Sequence, residues 1–171
     1  MMELLDIYDG DGRLTGRTVP RGAALAPGEY YCSVHIWIRN RAGQFLIQRR
    51  ALHKEPWPGQ WATTGGCVSS GEASLAAARR ETQEELGLTL ACEPILLDRL
   101  RRSEFFTDLW LAEVEVDPAA LTLQTSEVCD ARWESEAGIR ALVERGEFVA
   151  YRYLDDLFAR VRALPVDPEA V

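Results

Sequence analysis

This chain of 171 residues has no surplus of positive charge, no membrane-length apolar run and no CxxC pair. Each absence excludes something. Asp and Glu number 27 against 19 Lys and Arg, for a net charge of -8. No broad basic surface is available for a nucleic-acid polymer. The same field repels free phosphates unless metal ions or local cations intervene. The opening "MMELLDIYDGDG" lacks the charged-then-apolar pattern of an export signal, and no apolar run approaches spanning length, so no membrane partner is expected. Cys32, Cys67, Cys92 and Cys129 are then expected as reduced thiols in a cytoplasmic protein. Cys32 and Cys92 read as core residues of strands, and Cys67 as a small apolar filler unless a base lies beside it. There is no repeat, low-complexity tract or linker. Residues 1–171 therefore read as one domain, and 47% hydrophobic residues suffice for its core.

What is present is a run of strand and helix patterns. "LLDIYDGDGRLTG" reads as strand, turn and return. "YYCSVHIWIRN" and "QFLIQRR" form a hairpin signal, and "ALHKEPWPGQ" is a loop because Pro56 and Pro58 break regular structure. "WATTGG" is a short strand, and "LTLACEPILLDRL", "FTDLWLAEVEV" and "VCDARWES" are further strands. Helices are expected from Ser74, over about 135–145 and over about 153–164. Strands flanked by a middle helix and terminal helices predict an α/β sandwich with a mixed sheet.

The stretch Gly65–Leu88, "GGCVSSGEASLAAARRETQEELGL", carries the chemistry. Ser74 is the expected N-cap and Gly87 the expected C′ residue. At about 100° per residue, Leu75, Ala78, Thr82 and Leu86 form a core-facing stripe. Glu81, Glu84 and Glu85 cover a neighbouring one. A solvated acidic face is one explanation. Against it, like charges at i,i+3 and i,i+4 cost a few tenths of a kcal/mol per pair, and the last turn of a helix prefers cations. Divalent metal reverses both penalties, because three carboxylates offer hard oxygen ligands to Mg²⁺ or Mn²⁺.

From Gly66 the pattern runs Gly, five residues, Glu72, seven residues, Arg80-Glu81, two residues, Glu84-Glu85, one residue, Gly87-Leu88. This resembles the Nudix box, with Thr82 at a usually aliphatic position. The resemblance implies a Nudix-type α/β/α sandwich and cleavage of a small-molecule diphosphate, and homodimers are common in such families. It implies that Glu81, Glu84, Glu85 and the carbonyl of Gly65 bind metal and that Arg80 orients a carboxylate. It also implies that Glu72 ties the loop to the helix. Glu127 in "SEVCDARW" matches a later glutamate that serves as base or metal ligand in some members, with an exposed loop acid as the alternative.

The segment Arg49–Trp61, "RRALHKEPWPGQW", resembles type I isopentenyl-diphosphate isomerases, which share the fold. By that likeness Arg50 and Lys54 hold the substrate diphosphate, a basic pair that offsets the acidic background. The likeness breaks at the isomerase cysteine, where Gly66 stands with Cys67 one position out, and at its metal-binding histidines. His35 and His53 read as ordinary strand and loop histidines. The expectation is a Mg²⁺- or Mn²⁺-dependent diphosphohydrolase. An isopentenyl-diphosphate isomerase and a Nudix-fold binding module without turnover stand as alternatives. Trp57, Trp61, Phe105, Phe106 and Trp110 are aromatic candidates for stacking on a base. The substrate itself is not legible in these residues.

Overall fold

Successive residues of the strand Tyr31–Arg39 point to opposite faces, and both faces are apolar. Such a strand needs cover on both sides. Val34, Ile36 and Ile38 pack with Leu46, Ala78, Leu86 and Trp110 on one side. Trp37 packs with Phe45, Ile47, Leu109, Ile139, Leu157 and Phe158 on the other. The computed structural model describes residues 3–165; residues 1–2 and 166–171 of the expected single domain lie outside the described residues.

The elements run β1 (Leu4–Tyr8), β2 (Leu14–Pro20), β3 (Tyr31–Arg39), β4 (Phe45–Arg50), β5 (Trp61–Ala62) and β6 (Thr64–Cys67). Then follow α1 (Ser74–Leu86), β7 (Ile95–Arg101), β8 (Phe105–Glu113), β9 (Val128–Glu134), α2 (Glu136–Glu144) and α3 (Leu154–Ala163). β1 and β2 form a separate hairpin, tied to the body where Tyr8 and Tyr30 exchange backbone hydrogen bonds of 2.7 and 3.0 Å. The main sheet has the order β5-β4-β3-β8-β7, with β6 also paired to β3 and β9 to β4. β3 and β8 are parallel and the other pairs antiparallel, so the sheet is mixed as expected. With α1 over one face and α2 and α3 over the other, the architecture is an α/β/α sandwich. Among the described residues no helix is long and apolar enough to cross a membrane.

Three local expectations are corrected. Ser74 is not the N-cap of α1. That place belongs to Ala73, without a side-chain hydrogen bond, while the Ser74 hydroxyl accepts the Trp110 indole N–H at 3.0 Å. A buried indole needs an acceptor, and Ser74 satisfies it. The strand expected from Leu88 begins only at Ile95. Arg79 donates to the carbonyls of Leu90 and Cys92, and Pro94 has no N–H for a ladder. Cys92 is consequently half-buried beside the helix and not in a strand. "WATTGG" splits into two strands because Thr63 turns its hydroxyl to the Ile36 carbonyl at 2.6 Å. β5 then pairs with β4, and β6 with β3.

Candidate active site

α1 ends as the sequence predicts. Gly87, at φ 64°, donates its N–H to the Gln83 carbonyl, and a Cβ there would lie 2.8 Å from Thr122. About two turns earlier the helix carries Arg80, and this side chain organises the acids around it. Its Nε donates to Glu72 at 2.8 Å, Nη1 to Glu81 at 2.8 Å and Glu84 at 3.2 Å, and Nη2 to the Cys67 carbonyl at 2.9 Å. Glu72 also accepts the Ser69 N–H at 3.0 Å. Loop, helix and the end of β6 are thus joined through one guanidinium. These contacts hold Arg80 strongly charged, Glu72 foremost. Burial pushes Glu72 up, but the Arg80 hydrogen bonds overcome it and leave its carboxyl below the usual range.

The three helix glutamates are not equivalent. Glu84 is exposed, whereas Glu81 and Glu85 are buried. Burial raises Glu81 despite Arg80, and raises Glu85 to about 8 despite a hydrogen bond from Gln48. That bond, Gln48 Nε2 to Glu85 Oε2, is 2.7 Å long, and Thr64 donates to the other end of the same amide at 2.9 Å. Glu85 is therefore aimed by a fixed chain from β4 and β6. β6 itself requires its glycines. A Cβ on Gly65 would lie 2.4 Å from the Val34 carbonyl, and one on Gly66 would lie 2.2 Å from Glu81 Oε1. Gly66 is the space into which the Glu81 carboxylate fits.

One cavity of about 580 Å³ collects nearly all the expected contact residues: Arg50, Lys54, Gly65, Gly66, Arg80, Glu81, Glu84, Glu85 and Glu127. Glu72 and Gly87 stand outside it in supporting positions. Lys54 is ion-paired with Glu127, Nζ to Oε2 2.6 Å, and Arg50 Nε donates to the Pro56 carbonyl at 2.9 Å. Arg21 and Glu3 also line the cavity, paired at 2.9 Å and contributed by the residues flanking the β1–β2 hairpin. Nothing in the sequence pattern marks them. Gln48 was also missed, although a glutamine inside an otherwise apolar strand was a signal.

The donor set suits a divalent cation. Burial raises both carboxylates by more than Arg80 and Gln48 offset, and their oxygens are hard ligands. Among the described residues no three acid, thiol or imidazole side chains gather as a ready metal cluster. Arg80 Nη1 instead bridges Glu81 and Glu84 with positive charge.

A second cavity, of about 740 Å³, shares Arg50, Trp57, Gly65 and Gly66 with the first. Its wall includes Tyr31, His35, Cys67, Arg101, Arg102, Phe105 and Tyr151. Of the aromatic candidates, Phe105 lies here, stacked on Tyr31 at 5.3 Å, and Trp57 lines both cavities. Trp61, Phe106 and Trp110 are buried core residues. Burial, with the Arg102 charge second, drives His35 down to about 3, so the ring is neutral. Burial pushes the Cys67 thiol up, away from the reactive thiolate. His53 is a loop histidine, within 3.1 Å of the Ser126 carbonyl.

The NUDIX domain model matches residues 30–157. A Nudix hydrolase of Listeria monocytogenes is 40% identical over 159 residues, covering 92% of this chain and 94% of its own. An isopentenyl-diphosphate Delta-isomerase of Streptomyces griseus is 39% identical over 87 residues, which is 50% of this chain and 44% of that enzyme. Among solved structures, DR0079 of Deinococcus radiodurans superposes with a TM-score of 0.76 at 23% identity, covering 92% of this chain and 98% of that one.

Proposed function

The chain belongs to the Nudix hydrolase family, and on that footing we propose that it hydrolyses the diphosphate linkage of a small molecule with Mg²⁺ or Mn²⁺. The observation that carries this reading is the gathering of Arg50, Lys54, Gly65, Glu81, Glu84, Glu85 and Glu127 around one cavity. Glu81, Glu84, Glu85 and the Gly65 carbonyl would hold the metal. When bound, the metal neutralises charge on the phosphoryl oxygens and acidifies water. The chain's own residues supply the rest. Arg50 and Lys54 hold the diphosphate and orient it for in-line displacement. Glu127 or Glu81 accepts a proton from the attacking water. Arg80 keeps Glu81 and Glu84 in place, and Gln48 aims Glu85. The four free cysteines support a cytoplasmic setting.

Isomerisation of isopentenyl diphosphate is the second reading, favoured by the partial identity to isomerases. Against it, Gly66 stands where their cysteine would, and Cys67 is a protonated thiol on the neighbouring cavity. The test supplies nucleoside di- and triphosphates, nucleotide sugars and isopentenyl diphosphate with Mg²⁺ or Mn²⁺. Cleavage of the diphosphate bond, read from the monophosphate products (free phosphate only where the diphosphate is terminal) and abolished in a folded Glu84→Gln variant, is the expected result. Dimethylallyl diphosphate without phosphate release would overturn it, and turnover unchanged in Glu84→Gln would refute the metal assignment.

A further inference from the structure

Behind the wall of the larger cavity, His35 and Trp37 of β3 are joined through Tyr153, more than a hundred residues away, in one hydrogen-bonded chain, and of the three His35 lines the cavity. Trp37 Nε1 lies 3.4 Å from Tyr153 Oη, and Tyr153 Oη lies 2.5 Å from His35 Nδ1. An indole N–H only donates, so the phenol accepts from it. The phenol's own proton needs a partner, because Tyr153 is buried. His35 Nδ1 is the acceptor in reach. A neutral imidazole that accepts at Nδ1 carries its proton on Nε2. Among the described residues no protein group hydrogen-bonds to that nitrogen, and the ring lines the cavity.

The ring is also held in place. Tyr151 lies 4.8 Å from it, centroid to centroid, and stacks on Tyr153 at 5.2 Å. His35 pairs with Gly65 across β3 and β6, and a Cβ on Gly65 would lie 2.9 Å from His35 Cδ2. The Nε2 edge therefore sits beside the glycine shared by the two cavities. A group joined to a diphosphate in the smaller cavity meets this edge as it enters the larger one.

We propose that His35 is a specificity-determining residue: its fixed Nε2–H selects diphosphates whose organic group carries a hydrogen-bond acceptor on a ring, as a nucleoside does. A hydrocarbon group such as a prenyl chain would displace water from the N–H and leave it unpaired. Sites built around a donor discriminate strongly against ligands that lack the acceptor. Tyr31 and Phe105 add a flat wall for a ring, and Arg101 and Arg102 add further donors. The inference rests on the diphosphohydrolase reading, but its tests separate the two.

The first test is a ¹⁵N–¹H correlation spectrum of the imidazoles in the metal-free, full-length protein, assigned with His35→Gln. The Nε2–H tautomer of His35 is expected; the Nδ1–H tautomer would overturn the proposal. The second compares ADP-glucose and UDP-glucose with dimethylallyl diphosphate in wild type and in the double variant His35→Phe, Tyr153→Phe, which removes the His35–Tyr153 hydrogen bond from both ends and leaves the 3.4 Å contact of the Trp37 indole without its acceptor. The kcat/KM preference for the nucleotide sugars is expected to fall about 10-fold, mainly through KM. An unchanged preference in the folded double variant would overturn it. If wild type cleaves none of the three, nor any diphosphate of the wider panel given above, the hydrolase reading fails. Calorimetric binding of a methylene-bridged nucleoside diphosphate then decides on His35: about 10-fold weaker binding in the variant supports the contact, and equal binding sinks it.

Discussion

Lys54 and Glu127 form an ion pair in the wall of the smaller cavity, with Nζ 2.6 Å from Oε2 and both side chains about one-third exposed. The pair is worth under about 1 kcal/mol to the fold at that exposure. A diphosphate competes with Glu127 for the same ammonium, so one residue that holds substrate also restrains a candidate base. Lys54→Met should raise KM roughly 10-fold while Tm moves by only a few degrees. Steady-state kinetics and a thermal melt on one preparation check this; an unchanged KM would remove Lys54 from the site.

Glu85 gives the protein a pH-dependent stability. Its carboxyl titrates near 4.5 when unfolded and, raised by burial, at about 8 when folded. Between those values the folded chain keeps a proton that the unfolded chain has lost. Stability from the neutral carboxyl is full below the unfolded value and is lost as pH rises through the folded one. Burial raises Glu81 in the same direction. Metal-free Tm should therefore fall from about pH 5 to pH 8. Glu85→Gln should flatten the fall, and added Mg²⁺ should restore Tm most at the alkaline end, where the ligand is ionised. A metal-free Tm that rises with pH, and does so equally in Glu85→Gln, would contradict the assignment.

Gly66→Ala probes the space beside Glu81. The backbone there is not left-handed, so alanine is compatible with the strand, but its Cβ would fall 2.2 Å from Glu81 Oε1. The carboxylate must move by an ångström or more. A displacement of that size costs about 100-fold in turnover. The variant should keep its circular dichroism spectrum and lose kcat; wild-type kcat would show that Glu81 does not need its present position.

Arg21 tests whether the hairpin takes part in binding. It lies outside the segment matched by the domain model, yet it lines the cavity with Glu81. Arg21→Ala should raise KM for the diphosphate substrate roughly 3-fold to 10-fold with little change in Tm, because its ion pair with Glu3 is surface-exposed. Equal KM values would leave the hairpin a purely structural appendage.

The parts of the site that follow one another in the chain were readable from spacing. Arg80, Glu81, Glu84 and Glu85 occupy a single helix, and Glu72, in the loop just before it, lies within reach of Arg80. Periodicity also separated the buried stripe from the acidic one, although it placed Glu81 and Glu85 beside the core without showing how deeply they sink. Ser74 was misread because capping preference is local, whereas the indole of Trp110 that claims its hydroxyl comes from 36 residues away.

By itself the sequence determined an α/β sandwich with a mixed sheet and the loop–helix unit that carries the acids, because both arise from patterns repeating within a few residues. Only the tertiary structure decided which partners those acids meet. Gln48 reaches Glu85 across 37 residues, Lys54 reaches Glu127 across 73, and His35 reaches Tyr153 across 118. Such contacts depend on the order in which strands join the sheet. The antiparallel pairing of β4 with β9 brings Lys54 to Glu127, and the packing of the chain around α3 against the face that carries Trp37 brings Tyr153 to His35. No local periodicity encodes that order, since the free energy selecting it comes from burying both faces of β3 at once.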